Sequence, residues 1–270
     1  MEKFFPDNLD NLEEMCELNG STKPKKMKDK ETNKIFVLKK GKSKEHCLNE
    51  FVANQIYEKA NAQVPKMKKF ETENDFQILI EFIDGITWKE YQEKNSKSPE
   101  KLEKIQREVM KHFVLDCLLA NWDVAGLQDE NIMIENSTEK PFRIDFGGAL
   151  SYRAMGEKKK VEEWTGDFVP EIFTMLDSSF NETSARLFKF VSDLDIISQV
   201  NELNHFFQNI HLIQDLSDND RNILTQRFQF LKLTAMQKEQ DLYSTNQNFN
   251  ADDDFDSQLE KALQESMKYK

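Results

Sequence analysis

Cysteine is scarce here, and what there is does not pair. Cys16, Cys47 and Cys117 stand in unrelated contexts with no CxxC spacing, which excludes a disulfide framework and a thiolate zinc site and points to a reducing compartment. Long apolar runs are missing too. The N-terminus MEKFFPDNLDN has no basic segment leading into an apolar one, and the longest apolar stretch, around FVLDCLLANW, is too short to span a bilayer. A soluble, cytoplasmic protein with no transmembrane segment is expected. Basic excess is absent as well: the formal charge is −12, which argues against nucleic-acid partners and anionic membranes. The lysine cluster between Lys23 and Lys30 reads either as a local basic patch or as a solvated loop. No internal repeat is present, and glycine numbers only eight, yet Gly147 and Gly148 stand side by side.

What is there is enough chain, 270 residues, to bury a sizeable core. IFVLK (35–39) and FQILIEFI (76–83) are short β-branched and aromatic runs between polar segments and read as strands. Between them NEFVANQIYEKANA carries Phe51, Val52, Ile56 and Tyr57 near helical spacing. Residues 100–121 repeat Ile105, Val109, His112, Phe113, Asp116 and Leu119 every three or four positions and predict one long helix. IMI (132–134) and FRI (142–144), joined by the polar ENSTEKP, predict a hairpin bracketed by Asn131 and Asp145. From about 168 to 240 the chain reads as mostly helical, with Ser217-Asp218 a capping signal for the helix that begins DRNILTQRFQFLKL. His112 reads as a packed, hydrogen-bonded core histidine and Trp122 as a loop anchor held by burial.

Transfer of a phosphoryl group from ATP requires a main-chain cradle for phosphates, a lysine to hold them, oxygen ligands for magnesium and a base for the acceptor hydroxyl. A candidate for each occurs in order. Asn19, Gly20, Ser21 and Thr22 make a small turn whose N–H groups and hydroxyls suit phosphate oxygens. Lys39 closes a strand, and Glu50 sits in the following helix where it would pair with that lysine. Glu81, Phe82 and Ile83 lie where two lobes would join, so their main chain suits an adenine edge. Asp123 would orient or deprotonate the acceptor. Asn131 and Asp145 offer oxygens to magnesium, a hard cation shared with substrate phosphates. Taken singly, each has a plainer reading as a turn, a strand end, a surface helix residue or a cap. Their order is what carries the chemistry.

The series N-G-S-T, V-L-K, N-E-F, N-W-D, E-N-I-M-I and I-D-F-G-G-A resembles an atypical protein-kinase-like fold of the actin-fragmin kinase, HipA-like and phosphatidylinositol 3/4-kinase-like groups, over roughly residues 15–155. The resemblance implies an α+β, two-lobed protein-kinase-like fold. Its small β-rich N-lobe would span 1–83 and its mostly helical C-lobe 84–240. It also implies that Asn19 to Thr22 form the phosphate loop, that Lys39 contacts the nucleotide with Glu50 in support, that Asp123 is the catalytic aspartate, and that Asn131 and Asp145 bind metal. Two departures stand out. Neither G-x-G-x-x-G nor H-R-D occurs; Asn19 takes the first glycine's place, and asparagine tolerates left-handed backbone angles. The interval from Asp123 to Asn131 is longer than in H-R-D-x-x-x-x-N, which leaves Asp129 as a rival in the same loop.

Residues 241–254 are polar and Asn/Asp-rich and predict a linker, followed by a last helix over 255–270. There Phe255, Leu259, Ala262, Leu263 and Ser266 share one stripe opposite Asp256, Glu260, Lys261, Glu265 and Lys268. An acidic run before a helix carrying Leu259, Ala262 and Ser266 resembles a ubiquitin-interacting motif, which implies ubiquitin or a ubiquitylated protein as partner. The plainer reading is an amphipathic helix docked on its own C-lobe. Together these features predict an ATP- and magnesium-dependent phosphotransferase acting on a protein substrate. A lipid headgroup acceptor and a nucleotide-binding pseudokinase or adaptor are the alternatives. A bacterial effector acting in a host cytosol and a eukaryotic protein are both compatible with the composition.

Overall fold

A computed structural model describes residues 3–20, 22–72 and 76–267, without the side chains beyond Ser244. The N-terminal part is an antiparallel sheet of β1 (Leu12–Glu17), β2 (Lys25–Asp29), β3 (Ile35–Lys39), β4 (Met67–Glu71) and β5 (Phe76–Glu81), in the order β1-β2-β3-β5-β4. β3 matches its predicted bounds. The second predicted strand stops at Glu81, two residues early, because the chain leaves the sheet there to cross into the other lobe. Between β3 and β4 lies α1 (Lys44–Lys59), which starts ahead of the apolar run because the Ser43 hydroxyl accepts the His46 N–H and caps it.

Alternation along the strands gives the sheet two apolar faces. On one, Phe76, Ile78 and Ile80 meet Cys47 and Phe51 of α1; on the other, Phe36 and Leu79 meet Leu12 and Met27. The opposite side of α1 presents Val52, Ala53, Ile56 and Tyr57 to the large core of the C-terminal lobe. Between His46 and Tyr57 this helix is covered on both sides and belongs to both lobes.

The C-terminal lobe opens with β6 (Gly85–Thr87), followed by α2 (Trp88–Lys94), α3 (Pro99–Met110) and α4 (Phe113–Leu118). β6 pairs with a hairpin of β7 (Ile132–Glu135) and β8 (Pro141–Arg143), the hairpin foreseen from IMI and FRI. Then come α5 (Glu171–Thr174), α6 (Glu182–Leu187), α7 (Asp193–Gln208) and α8 (Asp218–Met267). The Ser217 hydroxyl accepts the Asp220 N–H at the start of α8, as its capping signal predicts.

Two sequence expectations need correction. The predicted helix over 100–121 is broken at Lys111-His112, since side chains intercept its ladder. Arg143 Nη2 donates to Val109 O at 2.9 Å, Gln199 Nε2 donates to Met110 O at 2.9 Å, and the Gln199 Oε1 accepts the Val114 N–H at 3.0 Å. The second difference lies in the tail: α8 runs unbroken through 241–254, where a linker is predicted. That stretch has neither glycine nor proline to stop a helix. Among the described residues no helix is long and apolar enough to cross a membrane.

A buried network joins α1, α4 and the hairpin. Asp116 Oδ1 accepts from Tyr57 Oη at 2.7 Å and Arg143 Nε at 2.8 Å, and its Oδ2 accepts from Arg143 Nη2 at 2.6 Å. Asn121 Nδ2 donates to Tyr57 Oη at 3.0 Å, which ties the start of the 121–131 loop to the same network. A second buried arginine, Arg227 of α8, donates to Glu171 Oε2 and Cys117 O at 2.7 Å each and to Leu118 O at 2.9 Å.

His112 is half-buried at the helix break, and burial, with Arg143 and Lys111 adding repulsion, pushes its pKa down to about 3 from an ordinary 6.5. Between those values the unfolded chain binds a proton that the folded chain refuses, so stability is lost as pH falls through that window. His112→Gln removes this loss. In urea melts the stability of wild type relative to H112Q falls by about 1 kcal/mol per pH unit below about pH 6.5; parallel curves would mean that the histidine titrates as in water.

Candidate active site

The turn between β1 and β2 carries the predicted phosphate loop. Leu18 N–H donates to Pro24 O at 2.7 Å and Lys23 N–H to Gly20 O at 3.1 Å, closing a loop in which Gly20 has φ 141°. Only glycine takes that angle without strain. The pairs Glu17↔Lys25 and Lys25↔Leu38 put this turn at the end of the sheet where Lys39 lies. Asn19, Gly20 and Thr22 are among the described residues, and Ser21 is not.

Lys39 is where the lobes meet chemically. Its Nζ donates to Glu50 Oε1 at 2.7 Å and to Asp145 Oδ1 at 3.3 Å. The lysine side chain is 9% exposed and that of Glu50 0%, whereas Asp145 is 44% exposed. Burial works against the ammonium, but Asp145 and Glu50 outweigh it and hold Lys39 above its ordinary pKa. Burial likewise works against the Asp145 carboxylate, yet Lys39 and the Gly147 N–H, donating at 3.0 Å, bring it below the usual range. The pairing of Lys39 with Glu50 that the sequence suggests is present.

The hairpin register brings Asn131 and Asp145 together. Ile132 pairs with Arg143, and the Ile144 N–H donates to Asn131 O at 3.1 Å, so the two candidate ligands leave one end of the hairpin side by side. Asn131 Nδ2 donates to Asp123 O at 2.8 Å and faces Asp123 Oδ2 at 3.4 Å, which fixes the amide and leaves Oδ1 as an acceptor. Asp145 uses Oδ1 for Lys39 and Gly147, so Oδ2 remains. These are hard oxygen donors of the kind magnesium takes. Among the described residues no group of three or more His, Cys, Asp or Glu side chains could hold a metal by itself. The pair therefore suits a cation that phosphate also ligates.

Asp123 is driven up to about 6 by burial first, then by the charges of Asp145 and Glu130. A carboxylate so placed accepts a proton more readily than an exposed one. Its rival Asp129 is engaged elsewhere. Arg186 Nη2 donates to Asp129 Oδ2 at 2.7 Å and Lys89 N–H to Asp129 O at 3.2 Å, which ties that residue, at φ 59°, to α6 and α2. Asp129 holds the loop, and Asp123 is the carboxylate beside Asn131.

Glu81 and Ile83 occupy the passage between lobes, as expected. The Glu81 carboxylate accepts the Lys66 N–H at 3.0 Å, so it fastens β4, while Ile83 is buried just beyond the strand. Trp122 differs from expectation. The residue is 39% exposed and is secured instead through its carbonyl, which accepts from Asn181 Nδ2 at 2.8 Å.

Sequence reasoning missed two residues that support the site. His46 Nε2 lies 3.1 Å from Gly147 O, and Asn49 Nδ2 donates to Ala149 O at 2.8 Å. With Glu50 they form one face of α1 at helical spacing, the signal that would have found them. The first of the adjacent glycines has its reason here. A Cβ on Gly147 would stand 3.1 Å from His46 Nε2, closer than side chains usually pack, whereas one on Gly148 would meet Asp123 Cβ at an ordinary contact distance of 3.4 Å. Gly147 lets the segment after Asp145 lie against α1.

Comparison with models of known protein families gives no match, and comparison with curated proteins gives none either. Among solved structures, the chain is similar to the crystal structure of a Helicobacter pylori proinflammatory kinase, CtkA, at 12% identity and a TM-score of 0.56. The match covers 84% of this chain and 96% of that one. The fold is protein-kinase-like, α+β, with a small antiparallel N-lobe and a helical C-lobe.

Proposed function

We propose that this protein is an ATP- and magnesium-dependent phosphotransferase, an atypical kinase with a protein hydroxyl as acceptor. The observation that carries the reading is the convergence of Lys39, Glu50 and Asp145 on one ion-pair cluster, with Asp123 and Asn131 joined beside it. Fold alone does not decide function; these side chains at the junction of the lobes do the arguing. That the matched Helicobacter pylori structure is a kinase agrees with it.

In this reading the turn at Asn19, Gly20, Ser21 and Thr22 covers the phosphates with main-chain N–H groups, and the strand end at Glu81 to Ile83 receives the adenine edge. Lys39, held by Glu50, contacts phosphate oxygens. Asn131 Oδ1 and Asp145 Oδ2 hold the cation. Bound together, ATP and magnesium supply the transferable γ-phosphoryl group and the charge that neutralises its oxygens. Asp123 orients the acceptor hydroxyl and takes its proton. A net charge of −12 disfavours an anionic membrane surface, so protein is preferred to phosphoinositide as acceptor.

The second half of the proposal concerns the tail. The side chains of Leu259, Ala262 and Ser266 lie outside the described residues, and their role rests on the sequence stripe within a helical backbone. Leucine fills a shallow pocket of ubiquitin, alanine permits close approach, and serine hydrogen-bonds at the contact. Such a partner places the protein in a eukaryotic cytosol, as a native protein or a delivered bacterial effector.

The test is γ-phosphate transfer from labelled ATP and magnesium to pooled cell proteins, with phosphoinositide vesicles in parallel. Label in protein is the expected result. Label in lipid would replace the acceptor class, and no transfer to either would overturn the enzymatic reading in favour of a nucleotide-binding adaptor. Titration with ubiquitin should shift the resonances of Leu259, Ala262 and Ser266; unshifted resonances would remove the tail's assignment.

A further inference from the structure

Lys159 takes no part in the mechanism above, yet its surroundings are constructed for one ammonium group. The segment after the metal loop folds back on itself. Arg153 N–H donates to Glu157 O at 2.7 Å and Lys159 N–H to Ser151 O at 2.8 Å, with Gly156 at φ 87° in the turn. That reversal returns Lys159 to the loops it follows. Its Nζ lies 2.7 Å from Ala120 O, 2.8 Å from Gly148 O and 2.8 Å from Leu150 O. An ammonium has three protons and no lone pair, so three carbonyls use it completely.

The three carbonyls come from the two loops that carry the chemistry. Ala120 is three residues before Asp123, and Gly148 is three after Asp145. Ala120 and Leu150 both have left-handed backbone, at φ 48° and 52°, angles that a residue with a Cβ keeps only when its surroundings compel it. The Leu150 N–H also donates to Leu119 O at 2.6 Å, so the loops touch directly at the same place. Without a cation between them, three converging carbonyl dipoles would repel one another.

We propose that Lys159 is a positioning residue that fixes the spacing between Asp123 and Asp145 by gathering the carbonyls of Ala120, Gly148 and Leu150 on its ammonium. This inference rests on the phosphotransfer reading. Burial opposes the charge and brings the lysine down to about 7; Glu171 and Glu163 favour the charged form, while Arg227 and Arg153 oppose it. Assays therefore belong at about pH 6.5, where the ammonium predominates.

Lys159→Ala is expected to lower kcat by about a hundredfold, the scale of a misplaced catalytic group, while KM for magnesium-ATP changes less than about threefold, since the residue touches no proposed nucleotide contact. The missing atoms are those of propylammonium. Adding propylammonium should restore kcat, and tetramethylammonium, which has the charge but no N–H, should not. Restoration by both salts alike, or a kcat within about twofold of wild type, would overturn the proposal. If Lys159→Ala does not fold, Lys159→Arg carries the test: its planar fork keeps the charge but cannot bring three donors to one point, so a folded K159R with wild-type kcat overturns it equally. Absence of transfer by wild type would instead overturn the phosphotransfer reading, and this inference with it.

Discussion

Asp145→Ala abolishes magnesium-dependent phosphoryl transfer while leaving the fold in place. The reason lies in the unequal exposure of the cluster. Lys39 and Glu50 stay paired at 2.7 Å when Asp145 is removed, and the lost carboxylate was 44% exposed, so no cavity or stranded buried charge results. Unfolding free energy should move by less than about 1 kcal/mol. The cation, however, loses the one charged side chain proposed to hold it, and preorganised charge of this kind is worth roughly a thousandfold in rate. The checks are a melting curve beside a labelled-ATP assay; retained transfer would sink the assignment of Asp145. Asp123→Asn should behave differently, lowering kcat with magnesium-ATP affinity kept. With Asp123 ionising at about 6, wild-type kcat/KM, which reports the free enzyme, falls tenfold per pH unit below that value. The asparagine variant lacks this acid limb.

Asp116→Ala is the change with the largest expected cost in stability. It strands the Arg143 guanidinium, whose side chain is 4% exposed, and removes the acceptor of the Tyr57 hydroxyl. Breaking one partner of a buried pair costs roughly 3–5 kcal/mol, chiefly because the other charge stays desolvated. For chains of this size that lowers Tm by roughly 6–20 °C. Removing both charges, as in Asp116→Leu with Arg143→Met, should recover most of the loss. A single variant melting within about 2 °C of wild type would show that Arg143 finds water or another acceptor.

The parts of this molecule that were legible in sequence are those specified locally. β3 and the hairpin around ENSTEKP follow from short β-rich runs and a polar turn, and Lys39, Asn131 and Asp145 come together because they flank the ends of β3, β7 and β8, with Glu50 reaching them from the middle of α1. What was hidden depends on residues far away in the chain. The break after Met110 is made by Gln199 and Arg143, which no window around residue 111 contains. The engagement of Asp129 depends on Arg186, and the exposure of Trp122 on what the rest of the lobe leaves uncovered.

The two-sided burial of α1 bears on how the chain reaches this state during synthesis. The helix is made early, but Asn49 must wait for Ala149, 100 residues later, and Tyr57 for Asp116, 59 later. Until those arrive, Val52, Ile56 and Tyr57 have no cover, and the sheet beneath can shield only the other side. The N-terminal strands therefore cannot mature alone as they leave the ribosome. Assembly is delayed until most of the C-terminal lobe exists, and the early half is a natural client for chaperones in the interval.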